Sequence, residues 1–373
     1  VIRISIRNLV EFILRSGDLT SRSGTAADKE AMLKGSRFHR KIQKQMGSTY
    51  QAEVPLKKES EYEDLILCVE GRADGIFTEN EAVCIDEIKG IYKSLDSLEG
   101  PVPIHRAQAL CYGWIYMESH DLERIDIQMT YGQLDTEEIR RFRETVTRGE
   151  LEKWYQNLMD EYHKWASYQL AWRKERNASM ETLEFPFPYR KGQREMVAGV
   201  YHAISEEEQI FIQAPTGIGK TMSAIFPAVR AVGQGKGEKV FYLTARTITR
   251  TVAEDAFSIL RGKGLHFKSI TITAKEKMCF CDEMDCDPQK CPYAKGHYDR
   301  INDAVYELWT KEEAFDRETI LAQAEKYSVC PFEMTLDLAV WMDGIVCDYN
   351  YVFDPNVYLK RFFGENIKGK YLF

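Results

Sequence analysis

The sequence predicts an α/β protein: a mixed sheet with helices in the first part, then a parallel-sheet lobe carrying a cysteine-rich insertion. Three observations predict it. Short apolar strand-like runs alternate with helical stretches over residues 50–131. The apolar segment IFIQ (210–213) runs into the glycine loop APTGIGKT (214–221) and then into a helical pattern. About sixty residues further on, Cys279, Cys286 and Cys291 form a C-x6-C-x4-C group, with Cys330 as a distant Cys-Pro.

The 373 residues suffice for two or three domains. With 44% hydrophobic and 29% charged residues, the chain has the composition of a soluble protein that buries cores. No apolar stretch reaches the length of a membrane span, so no membrane partner is expected. The opening VIRISIRNLVEFIL alternates arginine with apolar residues and lacks a small-residue cleavage site. It is therefore not expected to be a signal peptide, and a cytoplasmic location is expected. In that compartment the nine cysteines read as metal ligands or core residues rather than disulfides. A net charge of -8 argues against nucleic-acid binding by the whole surface. A local basic groove has Arg246, Arg250, Arg261, Lys263 and Lys268 as candidates, although charge alone favours a solvated mixed surface.

The elements follow in order. Residues 1–135 give a helical start, a helix near 35–45, strands near 50–56, 66–77 and 82–88, a helix over 106–117 and a strand over 125–131. Residues 136–184 read as a helical connector, polar and rich in aromatics, with Trp154, Trp165 and Trp172. The prolines of FPFPYRKGQ (185–193) mark a boundary. Beyond it, 210–213 is a strand, 221–232 a helix containing Pro227, and 240–246 and 269–273 are buried strands.

A strand, a glycine loop and a helix allow backbone N–H groups to surround phosphates at a helix N-terminus. In that frame Lys220 neutralises the β- and γ-phosphates and Thr221 offers its hydroxyl to Mg²⁺. Gly217 and Gly219 allow backbone geometry that side chains would block, and Ala214, Pro215, Thr216 and Ile218 complete the loop. Alanine in place of the first glycine, with T-G-x-G-K-T behind it, resembles the superfamily 2 helicases. Tyr189, Arg190 and Gln193 fit that family's adenine-reading element, and YLTART (242–247) resembles its next motif, placing Thr244 and Arg246 at the DNA backbone.

Thiolates hold iron–sulfur clusters or zinc, and the wide spacing without two C-x2-C pairs favours a [4Fe–4S] cluster on Cys279, Cys286, Cys291 and Cys330. Cys281 is an alternative to Cys279. Cys68, Cys84, Cys111 and Cys347 read as small core residues. KEKMC (275–279), CPYAKG (291–296), VCPFE (329–333) and DYNYVFDP (348–355) resemble the iron–sulfur helicases of the XPD/DinG type, from about residue 185 onward. That resemblance implies a RecA-like first motor lobe and an ATP-dependent 5′-to-3′ DNA helicase of DNA repair or processing, acting on single-stranded or forked DNA.

The first part carries its own chemistry. EGRADGIFTENEAVCIDEIKG (70–90) sets Asp74 before a turn and Glu87-x-Lys89 at the end of an apolar strand. Period-two alternation puts Glu87 and Lys89 on one face and Asp86 on the other. Two acids converging on a divalent cation, with a lysine beside the attacking water, suit phosphodiester cleavage. With His39 on a helix and Gln108 and Tyr112 sharing a helical face, H…D…ExK…Q-x3-Y resembles the RecB-type PD-(D/E)XK nucleases. The resemblance covers residues 1–135. It implies a restriction-endonuclease-like mixed sheet and Mg²⁺ or Mn²⁺ held by His39, Asp74, Glu87 and the carbonyl of Ile88. It also makes Lys89 catalytic and places Gln108 and Tyr112 near DNA. The four-cysteine cluster of many such nucleases has no counterpart in this segment.

In the helicase resemblance, an Asp-Glu pair for Mg²⁺ should follow a strand beginning near Lys370, and the sequence stops at Phe373. The chain by itself is therefore expected to bind nucleotide weakly, without ATP hydrolysis or unwinding. A DNA-binding module without catalysis and a zinc-stabilised ATPase are the other classes considered.

Overall fold

The computed structural model describes residues 1–19, 26–245, 247–364 and 369–373. The chain divides into two units. The first comprises 1–16 and 21–167, the second 17–20 and 168–373.

The first unit is built on β1 (Ile2–Ser5), α1 (Ile6–Ile13), α2 (Ala26–Gln45), β2 (Gln51–Glu61), β3 (Ile66–Glu79), β4 (Ala82–Ile91), α3 (Pro103–Ser119), β5 (Arg124–Gln133) and β6 (Ile139–Thr147). Ser5 caps α1 by accepting the Asn8 N–H at 3.1 Å. The six strands form a mixed sheet in the order β1-β3-β4-β5-β6, with β2 also on β3. The β1–β3 and β4–β5 pairs are parallel, and the β2–β3, β3–β4 and β5–β6 pairs are antiparallel. Because β2 and β1 both pair residues 67–70, they occupy opposite edges of β3; its far half turns that second edge to β4. This split lets Asp74 on β3 stand beside Ile88 on β4.

Residues 139–147, expected within a helical segment, form β6 instead. Its arginines and glutamate favour helix locally, but cross-strand partners decide the outcome. Phe142 meets the Tyr131 ring at 6.0 Å, Arg143 pairs with Asp126 at 2.9 Å, and Arg106 clasps Glu144 at 2.5 and 2.9 Å. The 34-residue helix α4 (Arg148–Glu181) follows and continues into the second unit. Its first half buries Leu151, Tyr155, Leu158 and Trp165.

The second unit adds α5 (Gln193–Ser205), α6 (Lys220–Gly233), β7 (Lys239–Thr244), α7 (Thr247–Arg261), β8 (Ser269–Thr271) and α8 (Lys275–Met278). Then come α9 (His297–Lys311), β9 (Ala314–Phe315), α10 (Arg317–Tyr327), α11 (Pro331–Ala339), β10 (Gly344–Asp348), α12 (Asn350–Phe353), α13 (Lys360–Phe363) and β11 (Tyr371–Leu372). The strands form an all-parallel sheet in the order β11-β7-β10-β8-β9. Its core joins Ile225, Val229 and Val232 of α6 to Phe257 and Leu260 of α7, with Val240, Phe267 and Val346. Apolar strands covered by helices are what a parallel sheet requires. The fold is α/β.

One expected strand is missing among the described residues. Residues 210–213 take no ladder partner, and Phe211 is 95% exposed. An apolar run becomes a strand only beside an edge that receives it, and here Ile210 and Ile212 instead line a cavity of about 970 Å³ with Val240, Tyr242 and Leu372. Asp343 anchors the end of α4: it accepts from Arg176 Nη1 at 2.6 Å, Trp172 Nε1 at 2.9 Å and the Lys268 N–H at 2.9 Å.

Candidate functional site

The glycine loop opens α6, whose N-cap is Gly219 in the left-handed region at φ 85°. Gly217 has φ 84°, so both glycines hold conformations that disfavour a Cβ. A Cβ on Gly219 would stand 2.6 Å from Gln193 Nε2. Gln193 is buried, and its Oε1 accepts the Arg190 N–H at 3.0 Å. Arg190 Nη1 donates to the Gly217 carbonyl. The structure thus brings Arg190 and Gln193 onto the loop. Tyr189 is half-exposed, its ring stacked on Phe185 at 4.4 Å. Lys220 Nζ donates to the Ala214 carbonyl at 2.9 Å, and the Thr221 hydroxyl lies 3.3 Å from that of Tyr242. Pro215 and Thr216 are exposed along the loop, with Ile218 partly covered.

Thr244, at the end of β7, is buried. Arg246 lies outside the described residues. Of the described groove candidates, Lys263 is exposed, whereas Arg250 is buried and pairs with Asp348, and Lys268 is 1% exposed. Arg261 is spent on the Phe267 carbonyl and the Ser269 hydroxyl, at 3.3 and 3.0 Å. The positive charges of Arg250, Lys268 and Arg261 serve the fold, because each sits where a β-sheet end leaves acceptors to satisfy.

Cys279, Cys286, Cys291 and Cys330 line one cavity, and Cys281 lines it too. Cys281 Sγ stands 3.9 Å from Cys291 Sγ. Burial, then the neighbouring Cys291 thiol, pushes the Cys281 thiol up to about 11; burial does the same for Cys330. The ammonium of Lys275 is raised by its hydrogen bond to Cys286. His297, buried, accepts the Cys330 N–H on Nδ1 at 3.2 Å. Cys68, Cys84, Cys111 and Cys347 are buried in the two cores.

In the first unit, β3, β4, α2 and α3 bring the acids together with their partners. Asp74 Oδ2 accepts the Ile88 N–H at 2.8 Å, and His39 Nδ1 lies 3.4 Å from Asp74 Oδ1. Burial lowers the His39 imidazole, but the hydrogen bond and charge of Asp74 outweigh it and the net shift is upward. Lys89 Nζ donates to Glu87 Oε1 at 2.7 Å and to Gln108 Oε1 at 3.2 Å. Glu87 is 1% exposed and its Oε2 has no hydrogen-bond partner. Burial first, then Asp74, pushes its carboxyl up to about 8. Tyr112 also faces this group, its hydroxyl raised by burial and by Glu87 and hydrogen-bonded to Gln108.

Two side chains beside this group gain their partners only through the packed structure. Asp86 is fully buried on the opposite face of β4, where Thr130 Oγ1 (2.6 Å), Gln128 Nε2 (3.1 Å) and the Tyr50 hydroxyl (3.1 Å) donate to it. His105, one turn before Gln108, lies 3.2 Å from the Tyr131 hydroxyl; burial and then the Lys89 charge push it down to about 4. The spacing 105, 108, 112 on one helix was the available signal.

Among the described residues, no three His, Cys, Asp or Glu side chains stand as a metal-holding group. In the acid cluster the charges of Glu87 and Asp74 are instead met directly by Lys89 and His39. The expected nuclease and cluster ligands therefore share a face and a cavity without closing on a common point. Two observations nevertheless fit a metal at each place: a buried carboxylate oxygen without a partner, and five sulfurs around one cavity.

The DEAD/DEAH box helicase family model matches residues 190–306, and the DEAD_2 model matches residues 265–367. Residues 190–367 carry helicase-type domains. Domains of this kind bind ATP with Mg²⁺ and nucleic acid, which is what the loop and its Arg190–Gln193 bracket suit. One solved structure, "Crystal structure of SSO0001", is 15% identical with a TM-score of 0.28, covering 42% of this chain and 75% of that one. A second, "Truncated XPD", is 17% identical with a TM-score of 0.33, covering 44% of this chain and 47% of that one. The chain thus spans about half the length of that XPD structure. No curated protein matches the sequence. Among the described residues, no helix is long and apolar enough to cross a membrane.

Proposed function

We propose that the helicase-type domain belongs to an ATP-dependent 5′-to-3′ DNA helicase of the iron–sulfur type, joined to a metal-dependent DNA nuclease in the first unit. The substrate is single-stranded or forked DNA, and the setting is DNA repair or processing. The observation that carries the nuclease half is Glu87, a carboxylate buried beside Asp74 with Oε2 left unsatisfied.

Mg²⁺ or Mn²⁺, bound by His39, Asp74, Glu87 and the Ile88 carbonyl, would supply Lewis-acid chemistry toward a phosphodiester. The protein's own residues do the rest. Gln108 and Glu87 hold the Lys89 ammonium at the edge of the acid cluster, where it meets a phosphate oxygen or the attacking water. Tyr112, kept protonated, offers its hydroxyl beside Gln108 to the DNA strand. On the motor side, Lys220 exchanges the Ala214 carbonyl for phosphate oxygens, while Tyr189 supplies an exposed ring face to adenine. Cys279, Cys286, Cys291 and Cys330 would hold a [4Fe–4S] cluster.

Purified protein should cleave end-labelled single-stranded DNA with Mg²⁺ or Mn²⁺, and Lys89→Ala should lose roughly a hundredfold in rate. DNA left intact with either metal, or an unimpaired Lys89→Ala, would sink the nuclease reading. Anaerobic preparations should be brown and hold about four irons per chain, and zinc in their place would refute the cluster.

A further inference from the structure

Three residues far from the cysteines in sequence are built onto their cavity. Gly17, Asp18 and Leu19 follow α1 and precede α2, yet they fold with the second unit. Four hydrogen bonds fix them to residues 294–299. Leu19 N–H donates to the Ala294 carbonyl at 2.8 Å, and Tyr298 N–H donates to the Gly17 carbonyl at 2.9 Å. Gly17 N–H reaches Asp299 Oδ1 at 2.7 Å, and Asp18 Oδ1 accepts the N–H of Gly296, the N-cap of α9, at 2.7 Å. The strap so held delivers one side chain. Leu19 is 7% exposed, packs with Cys281, Cys291 and Cys330, and lines the thiol cavity itself.

We propose that Gly17–Leu19 is an in-chain cap on the thiol centre, with Leu19 as its apolar plug. The proposal rests on reading that cavity as a metal centre. Thiolate-held metal is lost when solvent, oxidant or a chelator reaches the sulfurs, and an apolar shell sets that access. Leu19 joins Phe280, Met284, Tyr293 and Phe332 around the sulfurs, and it alone of these reaches the cavity from outside the cysteine segment, held there by the strap's bonds to Ala294 and Tyr298. The dependence runs both ways. The strap's anchors, Ala294, Gly296 and Tyr298, follow Cys291 within seven residues, so an intact centre keeps Gly17–Leu19 docked and its loss releases them.

The test uses the anaerobically purified full chain and follows metal release to a coloured chelator, bathophenanthroline for iron or pyridylazoresorcinol for zinc. Leu19→Asn should release metal about tenfold faster than wild type, while Leu19→Met, which keeps the apolar volume, should stay within about twofold. Asp18→Ala, which removes one anchor and touches no sulfur, should move in the same direction by a smaller factor. Hydrogen exchange at residues 17–19 should rise when the metal is stripped from wild type. Release from Leu19→Asn at the wild-type rate, or protection of the strap unchanged by stripping, overturns the cap. Protein that holds no metal as purified would instead overturn the metal-centre reading.

Discussion

Alanine at Gly219 perturbs the nucleotide loop in two separable ways. The first is backbone strain: at φ 85° an L-residue is disfavoured by about 1–2 kcal/mol. The second is a collision, since the new Cβ would meet Gln193 Nε2 at 2.6 Å. Gln193 cannot move away freely, because its Oε1 holds the Arg190 N–H at 3.0 Å and the side chain is buried. Losing that bond costs about 1 kcal/mol. Gly217 provides the control: its φ is 84°, but nothing lies within 4 Å of its would-be Cβ. If the strained loop is the conformation that receives phosphates, its energy appears directly in nucleotide affinity. Gly217→Ala should then weaken binding of a fluorescent ATP analogue by about tenfold, and Gly219→Ala by about five times more. The excess should vanish in a Gln193→Ala background, a double-mutant cycle with coupling near 1 kcal/mol. Equal losses from the two alanines, or no coupling to Gln193, would refute the reasoning.

Two further outcomes follow from buried charges in the second unit. Asp343→Ala strands Arg176, Trp172 Nε1 and the Lys268 N–H together, so urea unfolding should show a loss of about 3–5 kcal/mol; a loss below about 1 kcal/mol would show that α4 is not anchored there. Lys268 lies 4.1 Å over the Trp172 ring, and burial pushes its ammonium down from 10.5 to about 8. Because the unfolded chain binds that proton up to 10.5, wild-type stability should rise from pH 8 toward 10.5 and be lost as pH falls to 8. Lys268→Met should lack this rise, and parallel pH profiles for the two proteins would count against the assignment.

Much of the molecule was legible because the relevant signals are local. Lys220, Gly217 and Gly219 are read from a loop whose geometry is written into eight consecutive residues, and strand alternation separated Glu87 and Lys89 from Asp86. The misreadings share a cause. The helical character of 139–147 and the strand character of 210–213 were both read from composition. Each was decided by whether another strand lay alongside, as β5 does for the first. Arg250 is likewise placed from a distance, by Asp348, nearly a hundred residues away.

The sequence by itself determined the chemistry present: a phosphate loop, a thiol set, and an acid–lysine pair. Only tertiary structure decided what each group faces. It set Gln193 against Gly219, left one oxygen of Glu87 unsatisfied, added Cys281 to the thiol cavity and closed that cavity with Leu19. The physical reason is range. Loop conformation and strand alternation are fixed by neighbours in sequence, whereas desolvation and covering depend on segments that meet only when the chain has packed.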